Sequence, residues 1–73
     1  MSANEQNYKE KLGKTIERLR TAKKYGVREF ALIAEIEHHQ LINIEKGRVD
    51  IRLSTLIKIA KGLQVQPKEL LDF

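Results

Sequence analysis

Apolar residues that recur at intervals of four, four and three constrain the fold of this 73-residue chain more than any other feature. The first such stripe consists of Tyr8, Leu12, Ile16 and Leu19. This spacing places the four side chains on one face of an amphipathic helix, whereas a strand would need alternation. The stripe therefore predicts a first helix that begins at Tyr8 and ends near Lys24.

Four shorter segments with the same type of pattern follow the first one. Gly26 separates the first segment from the second, and Gly47 stands where a helix commonly ends in a left-handed residue. The predicted segments are residues 27–34, residues 37–46, residues 53–63 and a last one that begins at Pro67, a residue favoured at the first helical position. The predicted fold class is therefore all-α, with five short helices joined by links of two to six residues.

The apolar spacing also predicts which side chains face the core. They are Phe30, Ala31 and Ile33 in the second helix, Leu41 and Ile44 in the third, and Leu53, Leu56, Ile57, Ala60 and Leu63 in the fourth.

Length and composition predict one small cytoplasmic domain. The expected division is a flexible tail over residues 1–7 and a helical domain over residues 8–73, because residues 1–7 are polar and aperiodic. The chain has no Cys, which excludes disulfides, zinc–thiolate sites and thiol catalysis. The longest apolar run, residues 30–34, is far shorter than the ~20 residues of a membrane span. We therefore expect neither a membrane partner nor a second domain.

The net charge of +4 and the pI near 9.6 come mainly from the first helix. Residues 1–24 contain seven basic and three acidic side chains, whereas residues 25–49 contain three and four. A basic surface of this kind is compatible with nucleic-acid binding and equally with a well-solvated helix face. The charge alone leaves both interpretations open.

The sequence gives no sign of an enzyme, a metal site or a cofactor. His38 and His39 are the side chains whose unperturbed pKa lies near neutrality. Adjacent residues of a helix point about 100° apart, so the two rings do not converge on one metal ion or one proton transfer. Neither a catalytic Ser–His–Asp pattern nor a Gly-rich phosphate loop is visible, and we expect the protein not to be an enzyme.

Five short motifs, in order over some 60 residues, resemble the phage-repressor-like helix-turn-helix family (Cro/lambda-repressor, Xre). They are Leu12-Gly13-Lys14-x-Ile16-x-x-Leu19-Arg20, Glu29-Phe30-Ala31, Ile44-Glu45-Lys46-Gly47, Thr55-Leu56-x-Lys58-Ile59-Ala60-Lys61-x-Leu63 and Pro67-x-Glu69-Leu70-Leu71. Ala31 precedes Glu45 by fourteen residues, which is the spacing of the family.

The resemblance implies a five-helix lambda-repressor-like domain whose second and third helices form the helix-turn-helix. Ala31 would be small because the helices of the motif cross closely there. Gly47, which lacks a Cβ, would turn the chain left-handed after the third helix. Arg20 and Glu45 occupy the positions of a partly buried ion pair of the family, although two surface charges are the simpler alternative.

In the family the third helix enters the major groove of DNA. Carried over by position, the base-contacting residues are His38, His39, Gln40 and Asn43. Side chains next to this helix are expected to contact phosphates, and they are Arg28, Lys46, Arg48 and Arg52. Each of these side chains could alternatively belong to an ordinary solvated surface.

Four departures from the family pattern, which involve five residues, are visible. Gly26-Val27 replaces the usual Ser/Thr-Gln, which removes a phosphate clamp, and Glu35 replaces the usual Gly of the turn. Glu37 replaces the Ser or Thr that starts the third helix, and it would either repel a phosphate or accept a hydrogen bond from cytosine. Ile42 stands where the family often has Ser, and three roles are open: contact with a thymine methyl, packing on a neighbouring helix, or a protein interface.

The leading functional hypothesis is a sequence-specific transcriptional regulator of the repressor type that binds a two-fold DNA site as a homodimer. The expected dimer interface consists of Leu70, Leu71 and Phe73, because the family commonly dimerises through its fifth helix. A second hypothesis is a protein-interaction module whose helix-turn-helix has lost its DNA-binding face. An antitoxin-like protein, which binds both DNA and a toxin partner, lies between these two hypotheses. A nonspecific nucleic-acid binder is the third hypothesis.

Overall fold

The structure is a computed structural model, and it describes the backbone of residues 2–73 and the side chains of residues 7–73. Five α-helices follow one another: α1 (Ser2–Ala22), α2 (Val27–Ala34), α3 (His38–Glu45), α4 (Leu53–Leu63) and α5 (Pro67–Leu70). No strand occurs within residues 2–73. The predicted all-α, five-helix fold is therefore confirmed.

The helix ends agree with the sequence prediction except at the start of α1. Both ends of α2 and α4 lie where they were predicted, and α3 is one residue shorter at each end. Helix α1, in contrast, begins at Ser2 rather than at Tyr8, since polar residues without an apolar stripe can still extend a helix into solvent. Residues 2–7 are thus helical, and Met1 lies outside the described residues. The flexibility assigned to residues 1–7 stays a prediction.

One hydrophobic core joins all five helices. Helix α1 packs against α3, α4 and α5, while α2 packs against α3 and α4. The buried apolar residues of the described chain are Leu12, Ile16, Phe30, Ala31, Ala34, Leu41, Ile44, Leu56, Ile59, Ala60, Leu63 and Leu70. Burial of both Leu41 and Ile44 fixes the rotation of α3, so that its opposite side faces solvent.

Two side chains that were predicted to face the core are exposed, and a third, Ile57, is only half-buried. Ile33 is partly exposed because the inward face of α2 is formed by Phe30, Ala31 and Ala34. Leu53, which is 72% exposed, is the first residue of α4, and buried residues begin only at Thr55 and Leu56. Ile59 is fully buried, although it was not part of the predicted stripe.

Four helices end in the same left-handed turn. The left-handed residues are Lys24, Glu35, Gly47 and Gln64, with φ angles of 64°, 59°, 70° and 61°. In each turn the next residue donates its N–H to a carbonyl five residues back; the pairs are Tyr25 to Arg20, Ile36 to Ala31, Arg48 to Asn43 and Val65 to Ala60. Tyr25, Ile36 and Val65 then pack against the core. Arg48 is the exception, because it is exposed.

Candidate nucleic-acid interface

Helix α3 has a buried side and a solvent side with different chemistry. Leu41 and Ile44, three residues apart, are buried in the core. The solvent side carries the four side chains that the resemblance assigned to base contacts, namely His38, His39, Gln40 and Asn43. His39 and Gln40 are exposed, while His38 and Asn43 are half-buried. Imidazole and carboxamide groups therefore occupy the part of the α3 surface that lies outside the core contact of Leu41 and Ile44.

Gly13 allows α1 to approach the end of α3 closely. An ideal Cβ atom at residue 13 would lie 2.5 Å from the carbonyl oxygen of Ile44 and 2.8 Å from the carbonyl carbon of Glu45. Real Cβ atoms essentially never come so near to backbone atoms, so only glycine fits here. Gly13 had no predicted role, although a glycine within a helical pattern is itself a signal of close packing.

An ion pair ties α1 to the same end of α3. Arg20 donates two hydrogen bonds to Glu45, from Nε to Oε2 at 2.6 Å and from Nη2 to Oε1 at 2.9 Å, and Nη1 donates to the carbonyl oxygen of Tyr25 at 2.8 Å. The Arg20 and Glu45 side chains are 8% and 7% exposed. The hydrogen bonds to Glu45 raise the pKa of Arg20, against the opposing effect of burial. The two residues of the predicted pair thus meet in a bidentate geometry.

Arg48 lies against Asn43 rather than apart from it. Its Nη1 donates a hydrogen bond to Asn43 Oδ1 at 3.3 Å, and its backbone N–H donates to the Asn43 carbonyl oxygen at 3.0 Å. The left-handed turn at Gly47 produces this second contact. Arg48, a predicted phosphate contact, is therefore hydrogen-bonded to Asn43, a predicted base contact.

Gln40 is held by a residue that the sequence analysis did not single out as functional. Its Nε2 donates to the hydroxyl of Thr55, the third residue of α4, at 3.4 Å. Thr55 is buried, whereas Gln40 is exposed. Because the two residues are fifteen positions apart on different helices, no local pattern could have predicted this contact.

Two imidazole rings meet at the start of α3. The rings of His38 and His39 meet edge to face, with their centroids 5.4 Å apart. Partial burial of the ring lowers the pKa of His38, and the positive charge of Arg28 and the neighbouring His39 lower it further. Arg28 belongs to the first turn of α2, and its charge acts on the start of α3.

The remaining predicted phosphate contacts flank α3 on two sides. Arg52, the residue that precedes α4, is exposed and lines a groove together with Gln40 and Asn43. Lys46 is exposed at the end of α3 and borders a second groove, which Ile42 and Val27 also line. Ile42 is half-buried there. Ile42 and Val27 therefore border the same groove, and the three roles open to Ile42 stay predictions.

The departures from the family pattern have defined local structures. Gly26 precedes α2 in an extended conformation, and its N–H donates to Glu29 Oε1 at 3.4 Å. The backbone of Glu35 is in the left-handed region, which glycine adopts more easily than a residue with a side chain. Glu37 precedes α3 without a side-chain capping hydrogen bond. Its side chain is exposed, one residue before His38.

The C-terminal end offers a smaller apolar patch than the sequence predicted. Leu70 is fully buried in the core, because α5 turns this side chain towards α1 and α4, and it is not available to a partner. Leu71 and Phe73 are each 51% exposed. The predicted interface is therefore reduced to these two residues.

The structure contains no group suited to a metal ion within the part of the chain that it describes. No cluster of three or more His, Cys, Asp or Glu side chains occurs there. None of the helices in the described range is long and apolar enough to span a membrane.

Comparison with known proteins identifies the class of protein. The helix-turn-helix domain family matches residues 13–72, so the chain belongs to this family of DNA-binding transcription regulators. It is similar to the control protein C.BamHI of Bacillus amyloliquefaciens, with 34% identity over 62 residues that cover 84% of this chain and 76% of the relative.

Solved structures agree with the fold. The restriction-modification controller protein C.AhdI of Aeromonas hydrophila superimposes with a TM-score of 0.83 at 27% identity, over 85% of this chain and 94% of that one. A helix-turn-helix transcriptional regulator of Vibrio cholerae gives a TM-score of 0.86 at 22% identity, over 92% of this chain and 38% of that one. The second similarity concerns the fold alone.

Proposed function

We propose that this protein is a sequence-specific transcriptional regulator that inserts α3 into the major groove and represses transcription from a two-fold DNA site. The observation that carries the proposal is the solvent side of α3, where His38, His39, Gln40 and Asn43 are exposed or half-buried while Leu41 and Ile44 are buried in the core. Carboxamides can bind adenine through two hydrogen bonds, and imidazoles can donate to guanine acceptors or phosphates. A dimer bound across a promoter would block polymerase by occupying it.

The charges around α3 support this mode of binding. Arg28 lies at the start of α2, and Arg52, in the link that precedes α4, lines a groove together with Gln40 and Asn43 of α3. In this proposal Arg28, Lys46 and Arg52 contact phosphates, which sets the position of α3 in the groove but reads no sequence. Arg48 contacts a phosphate and also orients Asn43.

A homodimer fits the dimensions of DNA. The molecule measures 34 by 23 by 21 Å, which is comparable to the spacing of about 34 Å between half-sites on one face of the duplex. One subunit would therefore cover one half-site. The proposed contact between subunits is the patch of Leu71 and Phe73, both half-exposed at the C-terminal end.

The regulated genes are proposed from the relatives. Both C.BamHI, a control protein, and C.AhdI, a restriction-modification controller protein, match most of this chain at 27% identity or more. We propose that this chain likewise controls genes of a restriction-modification system.

The DNA-binding proposal is tested by selecting duplexes from a random pool and then titrating the selected and a scrambled duplex at two salt concentrations. We expect a palindromic site, bound about 10³-fold or more tightly than the scrambled duplex at physiological salt. Equal affinity for both duplexes would contradict sequence-specific binding. A reporter gene placed under the selected site should lose expression when the protein is present, and a rise in expression would contradict repression.

The dimer proposal is tested with the double variant Leu71→Glu, Phe73→Glu in sedimentation experiments. We expect monomers with unchanged helix content, because both side chains are exposed in the subunit. Leu32→Glu is the matched control, since Leu32 is an exposed apolar residue of α2, and it should sediment like the wild type. A double variant that remains dimeric would move the interface elsewhere.

A further inference from the structure

We propose that Thr55 is a positioning residue that orients the Gln40 carboxamide for recognition of adenine at one base pair of each half-site. Thr55 lies on α4, behind the exposed face of α3, and its hydroxyl accepts the hydrogen bond from Gln40 Nε2 at 3.4 Å. This inference rests on the proposed function and adds a specificity-determining residue to it.

The burial of Thr55 is the first argument. Arg20 and Thr55 are the two polar residues that are buried among those the structure describes, and Thr55 is 6% exposed. A buried hydroxyl is costly unless it is hydrogen-bonded, and a valine of nearly the same shape would avoid that cost. No buried side-chain N or O atom lacks a partner in the described part of the chain, and the contact with Gln40 provides one for Thr55.

The second argument is the hydrogen-bonding capacity of a carboxamide. An amide nitrogen has two hydrogen atoms, and the amide oxygen accepts. When one hydrogen atom is bonded to Thr55, the other hydrogen atom and Oε1 stay available. One donor beside one acceptor is the pair that adenine requires at N7 and at its 6-amino group.

The third argument is the difference in mobility between the two partners. Gln40 is exposed and carries three rotatable bonds, so a free side chain would lose entropy when it binds a base. Thr55 is held in the core next to Leu56 and is stiff at χ1. The hydrogen bond therefore restrains the flexible Gln40 side chain against the rigid Thr55 before DNA is bound.

The experiment compares base preference rather than affinity alone. Wild type, Thr55→Val, Thr55→Ser and the matched control Thr21→Val are each used to select duplexes from a random pool. Thr21 is exposed on α1, and its hydroxyl bonds to carbonyls of its own helix, so this control makes the same chemical change away from α3. Circular dichroism during thermal unfolding shows that each variant is folded at the selection temperature.

We expect Thr55→Val to lose preference at one base pair per half-site by about two- to tenfold, the range for one hydrogen bond. Thr55→Ser retains the hydroxyl and should keep the preference, and Thr21→Val should select the wild-type site. In a double-mutant cycle, Thr55→Val should have no further effect on that preference once Gln40→Ala is present. A purely structural role for Thr55 would leave the base preference unchanged.

The inference is overturned if folded Thr55→Val selects the wild-type site with wild-type preference, or if its effect persists in full beside Gln40→Ala. If Thr55→Val does not fold, Thr55→Ala and Thr55→Ser replace it in the same double-mutant cycle. The loss of base preference is then expected for Thr55→Ala and not for Thr55→Ser. Failure of the proposed function looks different, because the wild type itself would then select no sequence.

Discussion

Arg20 and Glu45, twenty-five residues apart, form a bidentate ion pair that joins α1 to the last residue of α3. The same arginine also donates to the carbonyl oxygen of Tyr25 in the turn that leads into α2. One side chain therefore connects α1, the turn that precedes α2 and the end of α3.

Arg20→Ala and Glu45→Ala should each destabilise the protein by about 3–5 kcal/mol, because each leaves a buried charge without its partner. The double variant should lose less than the two single variants together, since it leaves no charge unpaired. Unfolding free energies from urea denaturation measure this coupling. Asp72→Ala, which removes an exposed carboxylate outside α1 and α3, is the control and should cost under about 1 kcal/mol. Strictly additive losses would contradict a coupled pair.

Gly13→Ala should destabilise the protein by about 1–3 kcal/mol, because the added methyl group would collide with the backbone of Ile44 and Glu45. The matched control is Gly26→Ala, where a Cβ would meet no atom within 4 Å and only capping is weakened. The control should cost less than about 1 kcal/mol. Thermal unfolding of both variants gives the comparison, and an equal loss would show that α1 and α3 do not meet as described.

Glu35→Gly should stabilise the protein by about 0.5–1 kcal/mol, since Glu35 has a φ of 59° and glycine adopts this conformation without strain. Glu35→Ala removes the carboxylate but keeps a Cβ, so it should give no such gain. Chemical denaturation distinguishes the two variants. If Glu35→Ala stabilised the protein as much as Glu35→Gly, charge rather than backbone strain would be responsible.

The apolar spacing predicted the helices well because their ends are marked by local chemistry. Gly26 and Gly47 lie at helix boundaries, and Pro67 is the first residue of α5. Burial was harder to predict where neighbouring residues are both apolar. Ile33 and Ala34 point about 100° apart on α2, and only the position of the other helices decides that Ala34 is the buried one.

Contacts between distant residues account for what the sequence could not predict. The pairing of Gln40 with Thr55 and the approach of Gly13 to α3 depend on how helices pack. The inward orientation of Leu70 depends on the direction in which the four-residue helix α5 lies on the core. The resemblance indicated the position of the Arg20–Glu45 pair, but not the third hydrogen bond to Tyr25.

The free energy of unfolding should fall as the pH decreases through about 6.5, because the pKa of His38 is lowered in the folded protein. At a pH below the pKa of His38 in the unfolded chain, the unfolded chain binds a proton more readily than the folded protein, so protonation favours unfolding. At a pH above that pKa, both states carry a neutral His38 and the free energy of unfolding is not reduced by this residue. Chemical denaturation at pH 7.5 and pH 5.5 should therefore show that His38→Gln gains stability relative to the wild type at the lower pH. A difference that is equal at both pH values would contradict this.

Base recognition by the solvent face of α3 is tested most directly by comparing the duplexes that wild type and Asn43→Ala select from one random pool. Asn43→Ala should relax the preference at one base pair in each half-site and weaken binding to the wild-type site by about 1–3 kcal/mol. Asn7→Ala, an exposed asparagine of α1, is the matched control and should select the wild-type site. If Asn43→Ala retains the wild-type preference at every position, α3 does not read the DNA sequence through Asn43 and the account is contradicted.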